Sequence, residues 1–141
     1  MGEPNATEIE RQGLGYVVAY LGELGGEVPY TAYNAKMSYI KKNPKVIKGF
    51  SKAIDKALKY TKQHSAKDIA NKIIDYFPDT SINDLIKIVD RYKKGDAYRD
   101  NITINKEEWK HIQDIVINAK QLDSYVPYED LIYTKYFKDY E

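Results

Sequence analysis

The sequence predicts a helix-rich α/β fold in which two strands are followed by about five helices. Residues 16–21 form a continuous apolar run of strand length between glycines, which is typical of a strand buried on both faces. A second strand is predicted over residues 29–35, which are rich in tyrosine and threonine. After Met37, helix-capping residues and apolar residues at helical spacing recur along the chain.

The elements around the strands follow from their capping and turn residues. A short helix over residues 5–12 precedes the first strand and is stopped by Gly13 and Gly15. After the strands, Pro44 suits the first position of a long helix that carries apolar residues between positions 46 and 58. Three further helix starts and one terminal helix complete the prediction: Ser65 with Asp68, Ser81 with Asp84, Asn105 with Glu108, and residues 128–137.

This order of elements predicts an incomplete lobe. Two strands rarely form a stable sheet, and a strand that is buried on both faces needs a neighbour at each edge. We therefore interpret residues 1–141 as one segment of a larger architecture, with an edge segment (1–12), the strands (16–35) and a helical part (37–137). Such a segment is expected to self-associate through its unpaired strand, for example by domain swapping.

Composition excludes several classes of function. The chain has 22 basic and 21 acidic residues, and neither a basic excess nor a one-sided basic block is expected, so no nucleic-acid partner is predicted. It has no cysteine, which excludes disulfides and cysteine-based zinc sites. No apolar run approaches the roughly 20 residues that cross a bilayer. Residues 1–4 lack the features of a signal peptide, so the protein is either cytoplasmic or without its natural beginning.

Motifs for catalysis and for metal or cofactor binding are not recognised in the sequence. His64 and His111 are isolated from each other, although metal ligation needs partners at matching spacing. No serine lies in a nucleophile-elbow motif, and the glycine-rich residues 22–26 lack the lysine of a phosphate-binding loop. We therefore predict a protein that binds without catalysing, with no catalytic residue, metal or cofactor.

Two short segments are candidate binding sites. Each places a carboxylate close to a proline, and the second adds an aromatic ring, a combination that can hold a small polar ligand or a cation. An alternative stays open, in which these carboxylates are ordinary surface charges and Pro29 merely starts a strand. The candidate residues are Glu3, Pro4, Asn5, Glu27, Pro29 and Tyr30.

Three parts of the sequence resemble one family of proteins. They are Glu-Pro-Asn-Ala-Thr-Glu at residues 3–8 with the loop and Pro-Tyr strand over residues 22–33, Asn-Pro-Lys-Val-Ile at residues 43–47, and Val-Pro-Tyr-Glu-Asp-Leu at residues 126–131. Together they resemble the nitrate/sulfonate/taurine and thiamine-pyrimidine-precursor type of substrate-binding protein from ABC importers. One departure is Gly2, which stands where the family commonly has tryptophan before Glu-Pro.

The resemblance implies the C-terminal portion of a two-lobe periplasmic-binding-protein-like fold. The complete protein would trap a small solute between its lobes, outside the cytoplasm, and deliver it to a membrane permease. Glu3, Pro4 and Asn5 would then lie at the hinge edge of the cleft, with Glu27, Pro29 and Tyr30 nearby. The sequence does not identify the solute.

Two other functions stay open as alternatives. The chain could be a freestanding helical protein-interaction module. It could also be an enzyme of thiamine-pyrimidine synthesis, which uses the same scaffold, but that activity depends on histidine-rich and cysteine-containing motifs. The absence of cysteine and the separation of the two histidines count against the enzyme.

Overall fold

In the computed structural model, which describes residues 1–136, the regular secondary structure of the described residues is helical. Most of the helices follow Met37, as the sequence predicts. The α-helices are α1 (Asn5–Arg11), α2 (Leu21–Gly25), α3 (Met37–Lys42), α4 (Pro44–Gln63), α5 (Ala66–Ile73), α6 (Ile82–Lys94), α7 (Lys106–Asn118) and α8 (Tyr128–Leu131), and a 3-10 helix (Ile74–Tyr76) follows α5.

The chain divides into two compact units. The first unit contains residues 1–25 and 58–100, and the second contains residues 26–57 and the chain from residue 101 onward. Helix α4 contributes to both, because the unit boundary falls between Ala57 and Leu58. Each unit is described by itself below.

The core of the first unit lies between α5 and α6. Ile69 and Ala70 of α5 pack against Leu85 and Val89 of α6, and Leu85 and Val89 are each only 2% exposed. Both helices begin at a serine whose hydroxyl accepts a hydrogen bond from a backbone N–H three residues later. These caps satisfy donors that the first turn of a helix otherwise leaves unpaired, so they fix where the two helices begin.

In the second unit, α7 holds the segment that leads into α8. The indole Nε1 of Trp109 donates a 2.9 Å hydrogen bond to the carbonyl oxygen of Val126, and the Val126 N–H donates to Oε1 of Gln113. Gln113 is only 5% exposed. Helix α7 begins at a reciprocal capping box between Asn105 and Glu108. The sequence prediction of helix starts at Pro44, Ser65, Ser81 and Asn105 is confirmed.

The two predicted strands do not form within the described residues. Residues 16–20 and 27–36 lie outside the helices and pair with no strand in residues 1–136, and Leu21 begins α2. Tyr16, Val18 and Tyr30 are 84%, 93% and 91% exposed. A strand depends on hydrogen bonds from a neighbouring strand, which this part of the chain does not supply. The α/β fold therefore stays a prediction about a longer protein.

Two helix predictions need adjustment. The apolar face expected on α4 is only partly buried, because Val46 and Phe50 are 55% and 45% exposed while Ser51 and Asp55 are buried. The terminal helix predicted over residues 128–137 is α8, which ends at Leu131. Phe137 lies outside the described residues. Helix α1 matches its prediction, and Gly13 after it has the positive φ of +70° that favours glycine.

Candidate functional site

Arg91 is the centre of a charged cluster in the first unit. Its Nη1 donates hydrogen bonds of 2.8 Å to Oε1 of Glu3 and 3.2 Å to Oγ1 of Thr7, and its Nη2 donates to Oε2 of Glu10. Lys87, one turn earlier on α6, donates to the same Glu10 oxygen at 2.6 Å. We call these five residues the Arg91 cluster, which joins α1 to α6.

The sequence spacing explains why these side chains meet. Residues three or four positions apart share one face of a helix. Thr7 and Glu10 therefore lie on one face of α1, as Lys87 and Arg91 do on α6. Glu3 precedes α1, and its Oε2 accepts a 3.0 Å hydrogen bond from the Thr7 N–H, which lies in the first turn. A carboxylate is favoured there by the helix dipole.

Both carboxylates of the cluster are stabilised in their charged form. Burial raises the pKa of Glu3, but hydrogen bonds from Arg91 and Thr7 outweigh it and leave the pKa below its usual value of 4.5. Hydrogen bonds from Lys87, from the Val17 N–H and from Arg91 lower the pKa of Glu10 to about 2. At neutral pH, two anions therefore face two cations, and the cluster is electrically balanced.

The first group of predicted site residues, Glu3, Pro4 and Asn5, lies at the Arg91 cluster. The side chain of Glu3 is only 8% exposed, and both of its carboxylate oxygens accept hydrogen bonds from within the first unit. Pro4 and Asn5 are exposed beside it, at the beginning of α1. A ligand that reached the Glu3 carboxylate would have to compete with Arg91. The role of the three residues in ligand binding stays a prediction.

The second group of predicted site residues lies in the second unit. Glu27 is exposed, Pro29 is partly buried, and the Tyr30 ring is 91% exposed. All three belong to the segment between α2 and α3, which is not helical. The exposed ring and carboxylate are available to a partner or ligand, but the structure gathers no cluster around them comparable to that around Arg91 in the described residues.

A cleft of about 290 Å³ lies in the first unit near the end of α4. Lys93 lines it and donates hydrogen bonds of 2.5 and 2.7 Å to the carbonyl oxygens of Thr61 and His64, which caps the end of α4. Tyr98 also lines this cleft, and burial raises the pKa of its hydroxyl. Because the Lys93 ammonium group already donates to these backbone carbonyls, it stabilises the end of α4.

A larger cleft, of about 890 Å³, lies in the second unit beside the start of α7. Tyr128 and Tyr133 line it, but the Tyr128 hydroxyl donates a 2.6 Å hydrogen bond to the carbonyl oxygen of Ile104. Lys106 forms an ion pair with Glu129 at its edge. Its volume suits a small molecule, but these polar groups already have partners. The sequence predictions do not include this cleft, although Tyr128 of the Val-Pro-Tyr motif lines it.

Neither histidine belongs to a candidate metal site in the part of the chain that the structure describes. Nδ1 of His64 lies 2.9 Å from the carbonyl oxygen of Tyr60, and the two rings stack at 3.7 Å between centroids. Among residues 1–136, no group of three histidine, aspartate or glutamate side chains converges as a metal site would require. None of the helices in this part of the chain has the length and hydrophobicity needed to cross a membrane.

The second unit also contains a basic block, which the predictions from the sequence do not include. Residues 36–56 contain seven lysines and one aspartate, a formal charge of +6, whereas the whole chain carries +1. The expectation that no one-sided basic block exists is therefore wrong. The expectation was based on the net charge of the whole chain. In that sum, acidic residues outside residues 36–56 offset the lysines of the block.

Comparison with known proteins gives one informative similarity. The chain is 42% identical over 130 residues to "Putative binding protein YtlA" of Bacillus subtilis (strain 168). The aligned residues cover 92% of this chain but 39% of that protein, so the chain spans about two fifths of the relative's length. No protein-family model and no solved structure matches the chain. This chain is thus a homologue of part of a protein that is named as a binding protein.

Proposed function

We propose that this chain is the C-terminal part of the solute-binding component of an ABC-type import system. The complete protein binds a small molecule outside the cytoplasm, on the periplasmic side or anchored at the cell surface, and delivers it to a membrane permease. The observation that carries this proposal is the 42% identity to a protein named as a binding protein. Binding followed by closure of two lobes needs no catalytic group, so the proposal includes no enzymatic activity.

The exposed segments of the chain support the proposal that it is part of a larger protein. Tyr16, Val18 and Leu21 are each at least 80% exposed, although they belong to the apolar run that resembles a buried strand. Contiguous exposed apolar surface of this kind marks an interaction site. In the complete protein, residues 16–21 and 29–35 would pair with further strands and give the predicted α/β sheet.

Polar groups that line the two clefts already have hydrogen-bond partners, as we expect if the ligand site needs the rest of the protein. Lys93 and Tyr128 line them, but each already bonds to a backbone carbonyl within its own unit. In the proposal, Glu3, Pro4 and Asn5 lie at the hinge edge of the ligand cleft, and Glu27, Pro29 and Tyr30 lie nearby. The remaining ligand contacts come from the larger part of the protein, which this chain does not match in its relative.

A chimera tests the proposed function. The 130 matching residues of the B. subtilis relative are replaced by this chain, and the melting temperatures of chimera and parent are measured with taurine, an alkyl sulfonate, nitrate, bicarbonate and a thiamine-type pyrimidine. A bound solute stabilises the folded state, so the same compound should raise both melting temperatures. The chain alone, as control, should show no shift. A folded chimera that loses the parent's response, or a parent that responds to none, would contradict the proposal.

A freestanding helical interaction module is the second candidate function. It is favoured by one observation, that the regular structure of residues 1–136 is helical and pairs no strands. Sedimentation velocity separates the two. A fragment of a lobe should self-associate through residues 16–21, as a homo-oligomer or by domain swapping, and Val18→Lys should return it to a monomer. A wild-type chain that stays monomeric at high concentration would favour the module.

A further inference from the structure

Four lysines form a row along α4 in the second unit. Lys45, Lys48, Lys52 and Lys56 follow one another at intervals of three or four residues, so a helix with 3.6 residues per turn carries them on one face. We call this row the lysine stripe. All four side chains are exposed, and the row is about 16 Å long at the rise of an α-helix.

Among residues 1–136, the charge of the lysine stripe is not balanced by ion pairs with carboxylates. In the part of the chain that the structure describes, ion pairs are formed by other lysines, such as Lys87 with Glu10, and by no member of the stripe. Asp55, which is the acidic residue of this segment, is only 8% exposed. The ammonium group of Lys48 lies 5.2 Å from the centroid of the Tyr136 ring, a contact that leaves its charge in place.

Apolar side chains lie on the adjoining face of the same helix. Val46 is 55% exposed and Phe50 is 45% exposed. The Phe50 ring packs edge-on against Tyr33 at 4.8 Å between centroids, and Tyr33 is itself 77% exposed. The helix thus presents ammonium groups on one face and Phe50 on another, where Tyr33 from the segment before α3 completes an exposed aromatic pair. Surface-bound amphipathic helices have this combination of lysines and apolar side chains.

The amino-acid composition around the lysine stripe indicates which class of partner binds there. Residues 36–56 contain no arginine, whereas interfaces between proteins are enriched in arginine and depleted in lysine. Lysines also bind the phosphates of nucleic acids, so their charge alone does not separate a nucleic acid from a membrane. The apolar side chains do, because a nucleic-acid backbone would leave Val46 and Phe50 without an apolar partner. An anionic bilayer provides both partners, phosphate groups for the lysines and the acyl boundary for the apolar side chains.

We propose that the lysine stripe, with Val46 and Phe50, docks this chain on the surface of a membrane that contains anionic lipids. Each lysine near such a surface strengthens binding by about fivefold at low salt, and the apolar side chains add a contribution that salt does not screen. This docking does not depend on solute binding, so it can fail while the proposed transport function holds, and the reverse.

Vesicle co-sedimentation tests the docking. The 141-residue chain is mixed with vesicles of pure phosphatidylcholine and with vesicles that also contain phosphatidylglycerol, at low and at high sodium chloride. We expect binding to the anionic vesicles alone, weakened at high salt. Replacing all four lysines of the stripe with glutamine should weaken binding by more than about 50-fold. Lys52→Glu, a single change at an exposed position, should weaken it by more than about fivefold.

The matched control removes the same charge elsewhere. Glutamine replaces four other exposed lysines, Lys67, Lys72, Lys94 and Lys120, and this variant should lose less than about threefold in affinity. Circular dichroism establishes that each variant keeps its helices. Equal losses in the two fourfold variants, or no preference for anionic vesicles, would overturn the proposal. So would tighter binding to a short duplex DNA than to the vesicles, or Phe50→Ser leaving vesicle affinity unchanged.

Discussion

Arg91 donates a 2.8 Å hydrogen bond to Glu3, a residue 88 positions earlier in the chain. The contact is shielded from water, because the Glu3 side chain is 8% exposed and that of Arg91 is 25% exposed. Glu3 is one of the residues that the sequence places in a ligand site. Its partner explains why this carboxylate is held in position, and it connects the beginning of the chain to α6.

Arg91→Ala should therefore destabilise the first unit. The substitution leaves the Glu3 carboxylate partly buried without its guanidinium partner, and such a loss costs about 1–3 kcal/mol for a hydrogen bond to a charged group. Urea denaturation followed by circular dichroism at pH 7 measures the change in the free energy of unfolding. Arg11→Ala is the matched control, because Arg11 pairs with Glu8 where both side chains are well exposed, and it should have a smaller effect. Equal effects would contradict the structural role of the Arg91 cluster.

The Arg91 cluster also predicts that the chain loses stability in acid. The pKa of Glu3 is lowered, and that of Glu10 falls from 4.5 to about 2. Because the unfolded chain binds protons more readily at these two sites, their contribution is complete above about pH 5 and is lost as the pH falls toward 2. The free energy of unfolding, measured in urea between pH 6 and pH 3, should decrease with acidity. Glu10→Gln should flatten this decrease, whereas Glu107→Gln, at an exposed position, should leave it unchanged.

The local signals in the sequence predicted the helices well. Ser65, Ser81 and Asn105 each mark a helix start in the structure, because capping is a local interaction between a side chain and backbone donors a few residues away. Pro44 marks another, since its fixed φ and missing N–H suit the first position of a helix. The strands are different, since a strand depends on partners that are distant in sequence or absent from this chain. An apolar run such as residues 16–21 therefore predicts burial, but it does not identify the strands or helices against which the run packs.

The contacts within the candidate sites were less predictable. The sequence marks Glu3 as a candidate because Pro4 follows it, whereas its partner Arg91 lies 88 positions away and no short motif joins the two. The lysine stripe was readable from spacing alone, because Lys45, Lys48, Lys52 and Lys56 follow helical intervals. It was missed because the net charge of a whole chain conceals the one-sided charge of a single helix.

Removal of the cap at the start of α5 should lower stability. The Ser65 hydroxyl accepts a 3.1 Å hydrogen bond from the Asp68 N–H, and the Asp68 carboxylate accepts one from the Ser65 N–H. Ser65→Ala should lower the free energy of unfolding by about 1 kcal/mol, since the Asp68 N–H loses its acceptor. Ser38→Ala, at an exposed position within α3, is the control and should be neutral or slightly stabilising. If both variants unfold at the same urea concentration as the wild type, the cap contributes nothing.

A cavity in the core of the first unit should lower the free energy of unfolding by more than the loss of a helix cap does. Leu85 is 2% exposed and packs with Ile69 and Ala70 of α5. Leu85→Ala should lower the free energy of unfolding by about 2–5 kcal/mol, because it removes apolar contacts and leaves a void. Leu24→Ala makes the same chemical change where the side chain is 77% exposed, and it should have little effect. Comparable losses in the two variants would show that α5 and α6 do not form the core.

A substitution at Gln113 should loosen the contact between α7 and the segment before α8. Its Oε1 accepts a 2.6 Å hydrogen bond from the Val126 N–H, and its Nε2 donates to the carbonyl oxygen of Trp109. Gln113→Leu keeps a side chain of similar size but leaves the Val126 N–H without this acceptor, at a cost of about 1–3 kcal/mol.

Hydrogen exchange at the Val126 amide is the specific measurement. A cost of about 1 kcal/mol or more makes opening easier, so exchange there should accelerate by at least about fivefold. Gln121→Leu, where the side chain is exposed, serves as the control and should leave the Val126 amide protected. Because the Trp109 indole still donates to the Val126 carbonyl in the Gln113 variant, the segment should loosen without detaching. Unchanged exchange at Val126 would mean that the indole alone holds this segment on α7.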